Sequence, residues 1–203
     1  HQTVADMADI SRKAAKTIGL GLMYGMGKNK MATELDLSPE EASELINTFH
    51  RRVPFLKGLV YAVQNRIDSP ESNGSIRTLM GRRCRFPLWE PSTFGLHKAL
   101  PLEEAKREYV GHILKRAYTY KGLNRLIQGS AADQTKKSIV DCYKNGYLPL
   151  LQIHDELCFS IEHSEEATKL ANIMVNAVKL EVPSRVDQDM GQFWGDSSDL
   201  RSP

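Results

Sequence analysis

The chain has 203 residues, 41% of them hydrophobic and 26% charged, with a formal net charge of +2, the balance of a globular protein with room for one or two domains. No apolar run reaches the ~20 residues that a membrane-spanning helix needs, and no secretory leader is visible. Cys84, Cys142 and Cys158 lack CxxC spacing, so neither a zinc site nor a disulfide framework is expected, and a reducing, cytoplasmic setting fits.

The chain starts at His1 rather than at Met, as a fragment, a processed product or a trimmed chain would. From Ser11 to Lys30 it carries Arg12, Lys13, Lys16, Lys28 and Lys30 and no acid. This is either a phosphate-facing patch or a solvated basic face. Ser11 is a good N-cap, so a helix is predicted to about Tyr24, stopped by Gly25 and Gly27. Ser38-Pro39-Glu40-Glu41 reads as a capping box with Pro at the first helical position. The helix it opens has Ala42, Leu45, Ile46 and Phe49 at helical spacing and ends before Pro54. A further helix is predicted from Phe55 to Ile67, followed by a turn-rich loop at 68–75. Ile76 to Phe86 reads as two short strands about Gly81, with Arg77, Arg82, Arg83 and Arg85 around the turn. Residues 87–101 read as an irregular connection.

From Leu102 to about Lys144 the pattern is helical, with a break near Tyr120-Lys121-Gly122, and Asn145-Gly146 marks a turn. Tyr147 to Ile161 reads as a β-hairpin with His154-Asp155-Glu156 at its turn. Ser164-Glu165-Glu166 opens a last helix to about Leu180, and 182–194 adds at most a short strand. The expected fold class is α+β. A mostly helical part, residues 1–101, precedes helices packed on a small antiparallel sheet, residues 102–203.

Arg12, Lys16, Leu20 and Tyr24 are four apart and form one slowly turning stripe about 18 Å long. Two cations, an apolar group and a ring, in that order, match a nucleoside triphosphate laid along a helix: phosphates, sugar, base. A plain amphipathic helix with a basic edge has the same spacing. Gly19 and Gly21 each cost up to about 1 kcal/mol in a helix, which close approach of a ligand or another backbone would justify. Asp155 at a hairpin tip could present one carboxylate to a pair of divalent ions ~3.5–4 Å apart, the arrangement used for phosphoryl transfer. An ordinary polar turn reads the same way. Asn124 and Gln128 lie one helical turn apart and could donate to minor-groove acceptors, which are similar for all base pairs; exposed helix amides are the alternative.

The identities of these residues are more specific than their spacing. Arg12-Lys13-Ala14-Ala15-Lys16-Thr17-Ile18-Gly19-Leu20-Gly21-Leu22-Met23-Tyr24-Gly25 resembles the fingers-helix motif of the DNA polymerase I family (family A). Leu123 to Asp133 resembles the family's Asn, three residues, Gln-Gly, small, Ala-Ala-Asp segment. Ile153-His154-Asp155-Glu156-Leu157 resembles its palm His-Asp-Glu motif, and Thr78-Leu79-Met80-Gly81-Arg82-Arg83 a turn of the fingers. The resemblance runs from His1 to about Asp196 and implies the following roles. Arg12 and Lys16 bind the incoming deoxynucleoside triphosphate, joined by His1, with Leu20 toward the sugar. Lys16 is the candidate proton donor to pyrophosphate. Tyr24 and Gly25 meet the templating base. Asn124, Gln128 and Arg82 contact DNA, and His154 supports the primer end. Asp155 is a Mg²⁺ ligand, with Glu156 a nearby acid.

The implied activity is template-directed DNA synthesis on primer-template DNA, split between fingers (1–101) and the carboxy-terminal palm (102–203). Three departures stand out. Leu20 replaces the usual Phe or Tyr, which bears on sugar discrimination. Gly19 replaces Asn, and Tyr120 replaces an Arg. Leu at position 20 fits a phage-like member. The family's other metal-binding Asp lies in an Asp-Tyr-Ser-Gln-Ile-Glu motif absent from these residues. Activity is therefore expected to need an upstream part of the same protein or a partner chain. A DNA-gripping remnant and a metal-dependent nuclease are the competing readings; the intact Arg12, Lys16, Tyr24 and Asp155 oppose the first, and the lack of an acidic pair suited to an exonuclease opposes the second.

Overall fold

A computed structural model describes residues 5–6, 11–23, 26–93, 95, 97–193 and 198–199. The chain forms two compact units, His1–Gln128 and Gly129–Pro203. It is α+β: helices dominate, and the strands form small antiparallel sheets.

In the first unit, α1 spans Arg12–Met23, α2 Lys28–Leu35, α3 Pro39–Arg52 and α4 Pro54–Asp68. The predicted capping box at Ser38 is present: Ser38 Oγ accepts from the Glu41 N–H at 3.2 Å, and the Ser38 N–H donates to Glu41 Oε2 at 2.9 Å. Acids in the first turn of α3 and Arg51 and Arg52 in its last turn suit the helix dipole. Val53 leaves helical geometry at φ −127° and ψ 60°, and Pro54 starts α4 at once, because the residue before a proline is pushed out of the α region. Ile18, Met31, Phe49, Val53, Leu56, Val63 and Ile67 meet in one core with Ile76, Phe86 and Leu123. Each such buried side chain supplies roughly 1.5–3 kcal/mol.

The helix α2 lies where the sequence predicts no element. Only Met31 and Ala32 of its eight residues are buried, and Gly27 caps it without a side-chain hydrogen bond, so periodicity and capping both give little signal. Asn73 and Gly74, both at positive φ, turn the chain into β1 (Ser75–Arg77), which pairs with β2 (Arg83–Arg85) as predicted.

The stretch that reads as irregular contains β3 (Leu88–Pro91) and β4 (Leu100–Pro101). The helix predicted from Leu102 onward stops early: α5 covers Leu102–Glu108, and β5 (Leu114–Arg116) pairs antiparallel with β3. Two tertiary contacts win over helical periodicity there. Glu90 and Lys115 face each other across the ladder with Nζ 3.7 Å from Oε1, and the Arg116 guanidinium lies 4.5 Å from the Trp89 ring centroid. Tyr118 at φ 62° then ends the segment before the long helix α6 (Gly122–Lys144), which starts at the predicted break.

In the second unit, α6 ends at Asn145-Gly146, predicted simply as a turn. Gly146 has φ 88°, and the Tyr147 N–H donates to the Cys142 carbonyl at 3.0 Å, a left-handed helix cap. The hairpin β6 (Leu151–Ile153) and β7 (Glu156–Cys158) follows. The last helix, α7 (Ser164–Asn176), stops short of the predicted Leu180, while Ala177 and Val178 remain buried beyond it. In the tail β8 (Asp189–Met190) pairs with β9 (Ser198–Asp199). Among the described residues no helix is long and apolar enough to cross a membrane.

Candidate nucleotide and nucleic-acid site

Helix α1 is amphipathic in the sense its motif requires. Ala15, Ile18, Gly19 and Gly21 are buried, and Ile18 enters the core beside Phe49. Arg12, Lys13 and Lys16 are exposed and Leu20 is half-buried. Burial of one face therefore turns the Arg12–Lys16–Leu20 stripe outward. Tyr24, Gly25 and His1 lie outside the described residues.

The two glycines of α1 have different surroundings. A Cβ on Gly21 would meet Met31 Cε at 3.0 Å and Met26 Sδ at 3.1 Å, so packing inside the chain uses that glycine. A Cβ on Gly19 would meet Phe49 Cζ at 3.9 Å, an ordinary contact.

Asn124 and Gln128 follow one another along α6, the first half-buried and the second exposed. Leu123, next to Asn124, is buried in the core and anchors this turn. Arg82 is exposed on the loop joining β1 to β2. Its N–H donates to Thr78 Oγ1 at 3.0 Å, while its carbonyl accepts from the Thr78 N–H at 2.9 Å. Buried Thr78 thus fixes the turn that holds Arg82.

The His-Asp-Glu segment sits on the β6–β7 hairpin. Ile153 pairs with Glu156, so His154 and Asp155 alone form the two-residue turn and Glu156 is the first residue of β7. His154 has φ 55°, the positive value that favoured two-residue hairpin turns need at their first central position. Its carbonyl accepts from Gln152 Nε2 at 2.8 Å. All three side chains are exposed. Among the described residues no group of three or more His, Cys, Asp or Glu could hold a metal ion. Asp155 and Glu156 are hard oxygen donors of the kind Mg²⁺ accepts, but they are too few to make a centre by themselves.

Arg12, Lys16, Leu20, Arg82, Asn124 and Gln128 fall in the first unit; His154, Asp155 and Glu156 fall in the second. The fold also brings together basic residues that the sequence does not group. Arg66, on α4, joins Arg77 and Arg83 along a groove of about 490 Å³ that also includes Glu71. Hydrogen bonds from its own backbone and from Ser69, more than the nearby Arg66, hold the Glu71 carboxyl below its ordinary range. No local signal ties Arg66 to the hairpin, because α4 packing alone makes them neighbours.

The profile of the family described as DNA polymerase family A matches residues 1–196. A DNA-directed DNA polymerase of Pseudomonas phage M6 is 38% identical over 97% of this chain and 31% of its own length. A thermostable DNA polymerase I of Thermus filiformis is 28% identical over 90% of this chain and 20% of its own. The chain therefore spans less than a third of either relative. Its fold is similar to the POL domain of Pol1 from M. smegmatis, solved in complex with DNA primer-template and dNTP, at a TM-score of 0.67 and 26% identity; the likeness covers 90% of this chain and 32% of that one.

Proposed function

The chain belongs to DNA polymerase family A, and on that premise we propose that it carries the nucleotide-binding helix and one metal-binding carboxylate of a DNA-directed DNA polymerase. The observation that carries the proposal is the orientation of α1: its apolar side fills the core, and Arg12 and Lys16 stand exposed one turn apart on the other. We assign residues 1–101 to the fingers and 102–203 to the carboxy-terminal palm.

In this reading Arg12 and Lys16 hold the triphosphate of a deoxynucleotide, Leu20 packs on its sugar, and Tyr24 and Gly25 meet the templating base. His1 adds a contact to the phosphates. The primer 3′-hydroxyl loses its proton to solvent as its oxygen attacks the α-phosphorus, the bond from the α-phosphorus to the oxygen bridging the β-phosphate breaks, and Lys16 Nζ gives a proton to the departing pyrophosphate. Asn124 and Gln128 donate to minor-groove acceptors common to all base pairs. Arg82 contacts DNA and His154 supports the primer end.

Asp155 would hold Mg²⁺, with Glu156 close by. Bound Mg²⁺ supplies charge neutralisation at the reacting phosphates and a more acidic primer hydroxyl. Positioning and preorganised charge account for most catalysis in phosphoryl transfer, which makes the cationic helix face the chain's main contribution. The remaining carboxylate comes from outside these 203 residues, from another part of the protein or a second chain.

The test is primer extension with Mg²⁺. These 203 residues alone should extend nothing. Supplying a segment with the Asp-Tyr-Ser-Gln-Ile-Glu motif should restore synthesis, and Asp155→Ala should abolish it again. Normal extension by the Asp155→Ala protein would sink the metal assignment.

A further inference from the structure

We propose that the exposed Phe55–Leu59–Ala62 stripe of α4 is the docking face for the part of the polymerase outside these 203 residues, through an amphipathic helix with acidic side chains along its edge. The proposal rests on the polymerase reading.

Helix α4 has two apolar sides, and the core takes one of them. Leu56, Val63 and Ile67 are buried and enter the core. Phe55, Leu59 and Ala62 form a second stripe, roughly a quarter-turn round the helix from the first and about 10 Å long. All three are exposed, Phe55 at 59% and Leu59 at 43%. Apolar groups at i, i+4 and i+7 are the seam by which one helix packs on another. Gly58 lies in the same stripe, and a Cβ on it would meet no described atom within 4 Å. Glycine inside a helix is disfavoured against alanine, and no described residue uses the space it leaves. The backbone of an outside helix would.

Charge around the stripe selects what covers it. From His50 to Arg66 the chain carries Arg51, Arg52, Lys57 and Arg66 and no Asp or Glu. All four cations are exposed. Glu71 offsets Arg66, which leaves the excess at the joint between α3 and α4. The α3 C-terminus, worth about half a negative charge, balances only a part of it. Lys57 stands near enough to His50 to oppose its protonation, so this joint shares one positive field. A second copy of the chain would bring the same cations and be repelled, whereas an acidic-edged helix is attracted. The relatives have more than two thirds of their length outside the matched region. A segment tethered in the same protein reaches the face at an effective concentration that a free partner does not.

The test uses the intact polymerase, with the part that carries the Asp-Tyr-Ser-Gln-Ile-Glu motif, and thiol labelling read site by site by peptide mass spectrometry. Leu59→Cys should label roughly tenfold more slowly, or slower still, than a Glu104→Cys control on exposed α5. Adding Phe55→Ser should speed Leu59→Cys labelling roughly tenfold. Adding Lys57→Glu should speed it about threefold at ~0.1 M salt, the weight of one exposed ion pair. Gly58→Ala should lower the Tm of the intact polymerase, yet leave that of the 203-residue chain unchanged or raised.

Leu59→Cys labelling as fast as Glu104→Cys in the intact polymerase overturns the proposal. Protection that requires primer-template DNA would give the face to nucleic acid, and protection that grows with protein concentration would give it to a second copy; either result overturns it too. Nucleotide addition is read separately: a Lys16→Ala protein that adds nucleotides at the normal rate would remove the polymerase assignment of α1 and leave this interface standing.

Discussion

Gly122 lies against Ile67 so closely that a Cβ on it would stand 2.5 Å from Ile67 Cδ1, with Val63 Cγ1 at 2.9 Å. The first turn of α6 thus touches α4 through a residue with no side chain, and Leu123 enters the core beside it. Ile67 is fully buried, so moving its terminal methyl disturbs the packing around it. Alanine is favoured over glycine in a helix by about 1 kcal/mol, but overpacking a filled core costs about 1–3 kcal/mol. Gly122→Ala should therefore lower stability in urea denaturation. A more stable variant would mean that these two helices do not meet as described.

Gly19 is the contrasting case. Among the described residues a methyl there meets just Phe49 Cζ at 3.9 Å, so Gly19→Ala should raise stability by up to about 1 kcal/mol. The same denaturation experiment checks it. A loss of more than that amount would show that the helix needs this glycine for its own packing.

Ser38→Ala removes the hydroxyl that accepts from the Glu41 N–H and should cost about 1 kcal/mol. The Glu41 carboxyl is held below its ordinary value, first by the Ser38 backbone N–H and then by the Ser38 hydroxyl. A carboxyl with a depressed folded-state pKa stabilises above its unfolded pKa and stops doing so as pH falls through the folded value. Glu41→Gln should consequently be less stable than the parent at pH 7, with the gap closing in acid. A gap that stays constant down to about pH 2 would argue against the cap.

His50 predicts a second, separate pH window. Burial is the main cause that pushes its pKa below the ordinary 6.5, with Lys57 adding repulsion. Its Nδ1 is buried with no hydrogen-bond partner among the described residues. The folded state therefore resists a proton that the unfolded chain accepts. Stability should be complete above about pH 6.5 and fall below it. His50→Gln should flatten the dependence between about pH 7 and pH 5, as followed by chemical denaturation at each pH.

Lys16→Ala, in the reconstituted enzyme, should slow nucleotide addition by about 10² or more, the usual weight of a positioned proton donor. Duplex affinity should change little, since the side chain is assigned to the triphosphate. Single-turnover rates and duplex binding, measured together, decide this. An equal loss in both would move Lys16 from the nucleotide to the DNA.

Several features of this protein are legible in its amino-acid sequence. The Arg12–Lys16 spacing, the Ser38–Glu41 cap, the β1–β2 hairpin and the His154-Asp155 turn all rest on residues within a few positions of one another. Local hydrogen bonds and helical or strand periodicity decide such features, so the chain order carries them. The short helix α2 leaves little trace in the sequence because it buries few residues and has no side-chain cap.

The β4–β3–β5 sheet is hidden for a different reason. Its strands are two to four residues long, two of them contain proline, and β5 sits inside a helix-like pattern. What makes Leu114–Arg116 a strand is Glu90 and Trp89, more than twenty residues away in sequence. The residue types and spacings of this chain thus determined its family motifs and the chemistry those motifs imply. Tertiary packing alone decided which helix faces were left outward, how Gly122 meets Ile67 and that Arg66 joins Arg77 and Arg83. Burial and strand pairing depend on segments far apart in the chain, and no local pattern encodes which distant partner will arrive.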